Sequence, residues 1–155
     1  MIRLLIIFGI TTSLFACQPE GRIYAEHKEL SSGLEWQKKD AREFKVPIED
    51  NSIPYNMSLS FRYISGFQPN LVKVKVIETS PDGKETIKEY DLKVREDNGD
   101  YIGEAGYDIW DSNHLVEPNK KYNESGVYTY VIEHNMPNDP LNNVMEIGVI
   151  LEKVK

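Results

Sequence analysis

The chain has 155 residues, of which 25 are acidic and 18 basic, giving a formal net charge of −7. Its length is enough for one domain, and a hydrophobic fraction of 40% is typical of a folded chain rather than a disordered one. An acidic chain without a basic patch repels phosphate backbones, which argues against nucleic acid as a partner. The same charge argues against polybasic attachment to anionic lipids.

The N-terminus has the parts of a secretory leader. Arg3 supplies a positive charge, residues 4–10 form an apolar run, and residues 14–17 read Leu-Phe-Ala-Cys. The stretch that ends at Ala16 is too short to cross a bilayer, which takes about 20 residues. Cys17 is the one cysteine of the chain, so no internal disulfide is expected.

The position of Cys17, directly after Leu-x-Ala, resembles the lipobox of bacterial lipoproteins. The resemblance implies removal of residues 1–16, a diacylglyceryl thioether on Cys17 and an N-acyl chain such as palmitate. Two or more acyl chains anchor a protein stably, because each buried methylene contributes about 0.8 kcal/mol. An ordinary leader with a cysteine nearby is the alternative. Gln18 stands where Asp would retain the protein in the inner membrane, so the common sorting rule favours the outer membrane.

Beyond the cysteine, the chain divides into a polar stretch and a domain. Residues 17–33 are polar and aperiodic apart from an apolar patch at residues 22–25, and they predict a tether that at most ends in a first strand. Residues 34–155 form the predicted domain. Alternation of apolar and polar residues there predicts strands at 44–48, 55–63, 72–76, 86–94, 127–134 and 144–153.

Turn signals connect these segments into an antiparallel fold. Residues 80–84 read Ser-Pro-Asp-Gly-Lys and predict a hairpin turn, while Pro47 predicts that its strand lies at a sheet edge. A short strand is expected to begin at residues 101–102 and to end within residues 103–106, and any helix is expected to be a single turn within residues 107–115. About seven or eight short strands are typical of an antiparallel β-sandwich, so the predicted fold class is all-β.

Catalytic motifs are not found in the sequence. It has no Gly-x-Ser-x-Gly elbow, His-Glu-x-x-His, phosphate-binding glycine loop or Cys-x-x-Cys. We therefore predict no enzyme activity, cofactor or metal. The three histidines lie in different segments, and His134 continues the apolar face of its strand, so packing or hydrogen bonding at the strand end is expected there. His27 is expected on the solvated tether.

One local cluster leaves two interpretations open. Asp108, Asp111 and His114 would converge on a cation if their segment formed one helical turn. The favoured interpretation is that Ile109 and Trp110 fill the core while the aspartates cap a turn. Metal binding is the weaker alternative, because three ligands from one segment make a poor site.

Two further ligand classes are weaker still. Tyr101, Tyr107 and Trp110 would permit stacking on sugar rings if their side chains were exposed. Tyrosine is also common in strands and interfaces for reasons unrelated to sugars. Residues 97–100 read Asp-Asn-Gly-Asp but lack the spacing and closing Glu of a calcium loop, so a hairpin turn explains them better.

A set of short motifs is spread over nearly the whole chain after the cysteine. They are Arg22-Ile23-Tyr24, Trp36, Arg62, Asn70-Leu71, Pro81-Asp82-Gly83, Asp108-Ile109-Trp110-Asp111, Gly126-x-Tyr128, Ile132-Glu133-His134-Asn135-Met136, Asp139-Pro140-Leu141, Val144, Ile147-Gly148-Val149 and Leu151-Glu152-Lys153. Together they resemble the gliding-motility lipoprotein family GldH. The chain departs from the family pattern at Tyr107, Trp110 and His134, where the pattern has Gly, Tyr and Gln.

The resemblance implies a lipoprotein needed for gliding over surfaces, with a link to the secretion system that shares the machinery. The family has no catalytic residues to carry over. We therefore expect a lipid-anchored, non-enzymatic component whose partners are the membrane, through Cys17, and other gliding or secretion proteins. The candidate contact surfaces are Tyr107, Asp108, Trp110 and Asp111, and Asp139 with Pro140. The alternative function is a lipid-anchored carbohydrate-binding module.

Overall fold

The computed structural model describes residues 21–155, and all regular structure in them is β-strand. The strands are β1 (Arg22–Glu29), β2 (Glu35–Trp36), β3 (Arg42–Ile48), β4 (Tyr55–Ile64), β5 (Leu71–Thr79), β6 (Glu85–Lys93), β7 (Glu104–Gly106), β8 (Ile109–Lys120), β9 (Gly126–His134), β10 (Leu141–Asn142) and β11 (Val144–Lys153). The predicted all-β class is confirmed. The structure has more strands than the seven or eight predicted, because it includes three very short ones, β2, β7 and β10, of two or three residues each.

Two antiparallel sheets enclose the core. One sheet has five strands in the order β1-β11-β4-β8-β7, and the other has four in the order β3-β9-β5-β6. A two-stranded ribbon of β10 and β2 lies beside them. The hairpin of β5 and β6 and the edge position of β3, which contains Pro47, follow the sequence prediction. Together the sheets form a sandwich.

Strand β4 shows how the alternating sequence builds this core. Its apolar residues are mostly buried, and most of its polar residues face outward. On the neighbouring strand β11, the buried partners of these apolar residues are Val144, Ile147, Val149 and Leu151. The side-chain period of two in a strand places all these apolar groups on the same face. Their burial between the sheets is the main favourable contribution to folding.

Tyr63 of β4 carries a polar atom deep in the aromatic part of this core. Its hydroxyl lies 2.7 Å from the carbonyl oxygens of both Val94 and Ile102, and burial raises its pKa to about 12. The Val94 carbonyl also accepts a hydrogen bond from the Ile102 amide at 2.8 Å. Loss of the Tyr63 hydroxyl would therefore affect the Ile102 carbonyl more than the Val94 carbonyl.

We expect Tyr63→Phe to lower the free energy of unfolding by about 1.5 kcal/mol, because it removes the hydroxyl that donates to the partly buried Ile102 carbonyl. Urea denaturation followed by circular dichroism measures the change. Tyr107→Phe, at a fully exposed ring, is the matched control and should have no effect. Equal stability of Tyr63→Phe and the unchanged chain would contradict this role of the hydroxyl.

Three sequence predictions need correction. The helical turn within residues 107–115 is wrong, because that segment belongs largely to β8 and pairs with β4. Residues 22–29, predicted as part of the tether, form β1 and pair with β11, while residues 17–20 lie outside the described residues. The strand predicted to begin at residues 101–102 begins only at residue 104, as β7, and Tyr101 forms an isolated bridge with Arg95.

The sandwich has two distinct ends. The near end holds Gly21 and the loops at residues 49–54, 80–84 and 121–125, and the C-terminal strand also finishes there. The far end holds the connections that lie at the other extremity of the same strands, including residues 107–108 and 135–140. In the described part of the chain, no helix is long and apolar enough to span a membrane.

Candidate functional site

The sequence-predicted contact residues all lie at or beside the far end, whereas Cys17 lies outside the described residues. Tyr107 and Asp108 form the turn between β7 and β8. Trp110 and Asp111 follow in β8, and Asp139 and Pro140 lie in the connection from β9 to β10. The fold therefore places two separated sequence segments at one end of the molecule.

Tyr107 is the most exposed large hydrophobic side chain described, at 103% of its reference area. Its φ of 57° lies in the left-handed region, which L side chains adopt at some cost and glycine adopts freely. Glycine, the residue that the family resemblance implies at this position, would adopt this backbone geometry more readily. The tyrosine keeps this tight turn and adds an exposed aromatic ring.

Trp110 and Tyr101 are half-buried and pack against each other. Their ring centroids lie 5.1 Å apart, and the Trp110 indole nitrogen donates to the Ser65 hydroxyl at 3.2 Å. The Arg95 guanidinium also lies 4.9 Å from the Tyr101 ring centroid. The two rings close the far end of the core, and Tyr107 does not join them as one platform.

Asp111 and Asp108 have different surroundings. Asp111 accepts two hydrogen bonds from Arg62, at 2.6 and 3.1 Å, which form a bidentate pair on the outer face of the five-stranded sheet. These hydrogen bonds raise the pKa of Arg62. The Asp108 side chain is exposed, and its backbone carbonyl accepts from the Ser65 amide at 2.8 Å. Asp108 is therefore the freer of the two for contact with a partner.

The second segment packs against a buried histidine. His134 accepts a hydrogen bond from the Met136 amide through Nδ1, and its Nε2 lies 3.6 Å from the Asp139 carboxylate. Burial lowers the pKa of His134, although Asp139 acts in the opposite direction. The Asp139 carboxylate also accepts from the Lys38 amide at 3.0 Å. Asp139 is exposed and Pro140 is half-buried, and the bond between them is cis.

The cation-binding alternative fails on geometry. Because the segment is a strand, Asp111 faces outward while His114 faces the core and contacts the Ser112 hydroxyl at 3.0 Å. Among residues 21–155, no group of three His, Asp or Glu side chains is placed to hold a metal ion. Residues 97–100 form a tight turn, closed by a hydrogen bond from the Glu96 amide to the Asp100 carbonyl at 2.8 Å.

A buried ionic cluster was missed by the sequence interpretation. Lys120 lies 2.7 Å from both Glu78 and Glu117, and Lys88 lies 2.7 Å from Glu117. The Tyr90 hydroxyl donates to Glu117 as well. These side chains come from β5, β6 and β8, and no local motif signals that the three strands meet. The cluster links the five-stranded sheet to the four-stranded sheet, close to the end of the sandwich that holds Gly21.

The described residues form an antiparallel β-sandwich of the kind found in many cell-surface domains, so the fold alone does not define a function. The chain matches the family described as GldH lipoprotein over residues 22–151. It therefore belongs to the GldH lipoprotein family, as its sequence motifs predict.

Two individual comparisons accompany the family match. The chain is 24% identical to a protein named "Gliding motility lipoprotein GldH homolog" from Christiangramia forsetii, over 95% of this chain and 93% of that protein. A solved family GH115 4-O-methyl-α-glucuronidase with specificity for decorated arabinogalactans superposes with a TM-score of 0.40 and 12% identity. That match covers 94% of this chain but 19% of the enzyme, and it defines neither fold nor activity.

Proposed function

We propose that the protein is a lipid-anchored, non-enzymatic component of the bacterial gliding machinery that acts through protein contacts at the far end of the sandwich. Membership of the GldH lipoprotein family and the name of its relative support the link to gliding. The observation that carries the mode of action is the placement of both predicted contact segments at one end, opposite Gly21. A link to the associated secretion system is part of the same proposal.

The short connection to Cys17 supports this orientation. Gly21 is held at the near end, where its carbonyl accepts from the Lys153 amide at 2.8 Å. Four residue steps separate Gly21 from Cys17, a maximum reach of about 14 Å. A lipid on Cys17 therefore keeps the near end close to the membrane, in the outer membrane if the sorting rule applies.

The length of the strands then sets the distance of the contact surface. Strand β4 has ten residues and runs from the near end to the far end, which corresponds to roughly 33 Å. Tyr107 and Asp139 are thus presented well away from the lipid surface. The outward aromatic ring of Tyr107 is the side chain best placed to anchor a partner, because aromatic residues are enriched among energetically dominant interface contacts.

Gliding assays in cells that express the full chain test the contact surface. Tyr107→Gly removes the ring while giving the left-handed turn its preferred residue, so the fold is retained. We expect partner contact to weaken by about 2 kcal/mol and gliding to be impaired. Val127→Ala, an exposed apolar residue near the opposite end, is the matched control and should glide normally. Normal gliding of Tyr107→Gly would count against this surface.

The anchor needs a separate measurement. In the same cells, Cys17→Ser is expected to abolish labelling with an alkyne palmitate analogue and to release the chain from the membrane fraction. The reason is that the lipobox resemblance attaches all acyl chains at Cys17. Persistence of both label and membrane association in Cys17→Ser would refute the anchor without affecting the contact surface.

A further inference from the structure

The outer face of the five-stranded sheet carries a cleft that Asp111 shares with the predicted contact surface, whereas its other lining residues belong to no predicted surface. The cleft has a volume of about 220 Å³. The strand register places four positions in one row across β1, β11, β4 and β8, namely His27, Gly148, Ser60 and Asn113. Sites for small molecules usually enclose roughly 300–1,000 Å³, so this cleft suits a single side chain better than a complete ligand.

Ser60 gives the cleft an unused polar group. It is only 8% exposed and lines the cleft, yet its hydroxyl has no hydrogen-bond partner among the described residues. Buried polar atoms in native proteins are nearly always paired, so an unpaired hydroxyl needs an explanation. A polar group that enters the cleft would supply the missing partner, because a serine hydroxyl both donates and accepts hydrogen bonds.

Gly148 lets its neighbours in this row, Ser60 and His27, pack closely over its backbone. A Cβ at that position would collide with the Ser60 hydroxyl, and it would lie 2.6 Å from His27 Cδ2 and 2.8 Å from the Glu26 carbonyl oxygen. A central strand position otherwise favours larger residues. The glycine therefore preserves the close packing of His27 and Ser60 beneath the cleft.

The next row toward the far end is strongly acidic. In register across the sheet it contains Glu29, Glu146, Arg62, Asp111 and Glu104. The cation of this row is Arg62, which is shared by Asp111, at 2.6 Å, and Glu146, at 3.1 Å. Glu104 lines the cleft and is exposed, and it forms no ion pair within residues 21–155. This row has an excess of carboxylates. Arg22, the other arginine that lines the cleft, is paired with Glu152 at 3.1 Å.

The row on the other side of the cleft is largely apolar. It contains Ala25, Ile150, Ser58 and Leu115, of which Leu115 is 56% exposed. The outer face thus presents an acidic row, a polar cleft and an apolar row side by side, in that order from the far end toward the near end. Lysine and arginine side chains combine an apolar stem with a cationic head, and this combination matches the order of the rows.

We propose that this outer face binds a basic, amphipathic segment of a partner protein, with one Lys or Arg side chain in the cleft between Ser60 and Glu104. The excess of carboxylates in the acidic row favours a cationic partner. The Ser60 hydroxyl, which both donates and accepts hydrogen bonds, can accept one from the cationic head. The inference rests on the proposed role in protein contacts, but it does not depend on the lipid at Cys17.

The test uses the full-length chain in detergent and a short fluorescent peptide of alternating leucine and lysine. Fluorescence anisotropy at about 0.15 M salt measures binding, since weak surface attraction is already screened there. We expect the lysine peptide to bind and a matched peptide of alternating leucine and glutamate to remain free. Equal binding of the two peptides would overturn the proposal.

Three variants locate the binding. Glu104→Lys should weaken binding of the lysine peptide about tenfold, and Ser60→Ala should weaken it without lowering the stability of the fold. Glu85→Lys makes the same charge change on an exposed position of β6 in the other sheet and should leave binding unchanged. Equal losses in the two charge variants would show attraction to the overall acidity and refute the site.

Two further measurements distinguish a basic protein segment from a glycan and separate this site from the lipid anchor. Competition by dextran, a neutral polysaccharide, would identify the face as a glycan site and overturn the proposal. Cys17→Ser should bind the lysine peptide like the unchanged chain. The two proposals can fail separately. If the peptide still binds but cells with Cys17→Ser and cells with Tyr107→Gly both glide normally, the peptide site is supported and the proposed function is refuted.

Discussion

Lys120→Met is expected to lower the free energy of unfolding by about 3 kcal/mol, because it leaves two buried carboxylates without their shared cation. The Lys120 side chain is 7% exposed, and those of Glu117 and Glu78 are 13% and 16% exposed. The ammonium group also lies 5.1 Å from the Tyr122 ring centroid. Removal of the charge therefore exposes like-charged groups to each other in a region that water reaches poorly.

The stability that the cluster of Lys120, Glu117 and Glu78 provides should depend on pH in a defined direction. Burial alone would raise the pKa of Glu117, but hydrogen bonds from Lys120, Lys88 and Tyr90 outweigh it and hold the pKa below its ordinary value of 4.5. Its stabilising contribution is therefore present above pH 4.5 and is lost as the pH falls through the folded value. Burial would lower the pKa of Lys120, but the two glutamates raise it, so its contribution is lost only as the pH rises through that raised value.

Urea denaturation at several pH values checks both statements. The difference between Lys120→Met and the unchanged chain should shrink below pH 4.5, as the carboxylates become protonated. Lys93→Met is the matched control, because Lys93 pairs with Glu96 at 2.6 Å with both side chains about half-exposed. That control should leave the stability nearly unchanged, since exposed ion pairs are screened by solvent. Equal losses for the two lysines at neutral pH would contradict a structural role of the buried cluster.

Trp36→Ala is expected to have the largest effect in the fold, a loss of about 4 kcal/mol. Trp36 is fully buried, its indole nitrogen donates to the Asp40 carbonyl at 2.9 Å, and its ring contacts His134 edge-on at 5.3 Å. It also belongs to the ribbon in which β2 pairs with β10. The substitution therefore creates a cavity and loosens the connection that carries Asp139.

Trp110→Ala is the matched control for this prediction. Its indole is half-buried and lies at the other side of the far end, so truncation should cost about 1.5 kcal/mol. Chemical denaturation followed by far-ultraviolet circular dichroism measures both losses without relying on tryptophan fluorescence. If the two substitutions destabilise equally, the ribbon has no special contribution to the stability of the far end.

The alternating segments could be predicted from the sequence because the cause is local. In β4, side chains two residues apart share a face, so the sequence already shows which side is buried. The turn at residues 80–84 carries its own backbone signal, with Gly83 at a φ of 85°. The same local reasoning predicts the leader, the lipobox at Cys17 and the family motifs.

Other segments could not be assigned from local sequence. Strand β8 alternates Trp110, Ser112 and His114 on its inner face, which is not an apolar pattern. Its extended form depends on hydrogen bonds to β4, a strand that lies far earlier in the chain. Strand β1 likewise gains its conformation from pairing with β11 at the opposite end of the sequence.

The candidate surfaces divide in the same way. From the sequence we could predict an acidic, all-β domain behind a leader of residues 1–16, with the lipid on Cys17 and with Tyr107 and Asp139 among the contact residues. The folded structure was needed to show that these two residues share one end of the sandwich, that Lys120 is buried between two glutamates, and that Ser60 lies unpaired in a cleft. The physical reason is that such arrangements depend on strand register and sheet packing between distant segments, which local patterns do not encode.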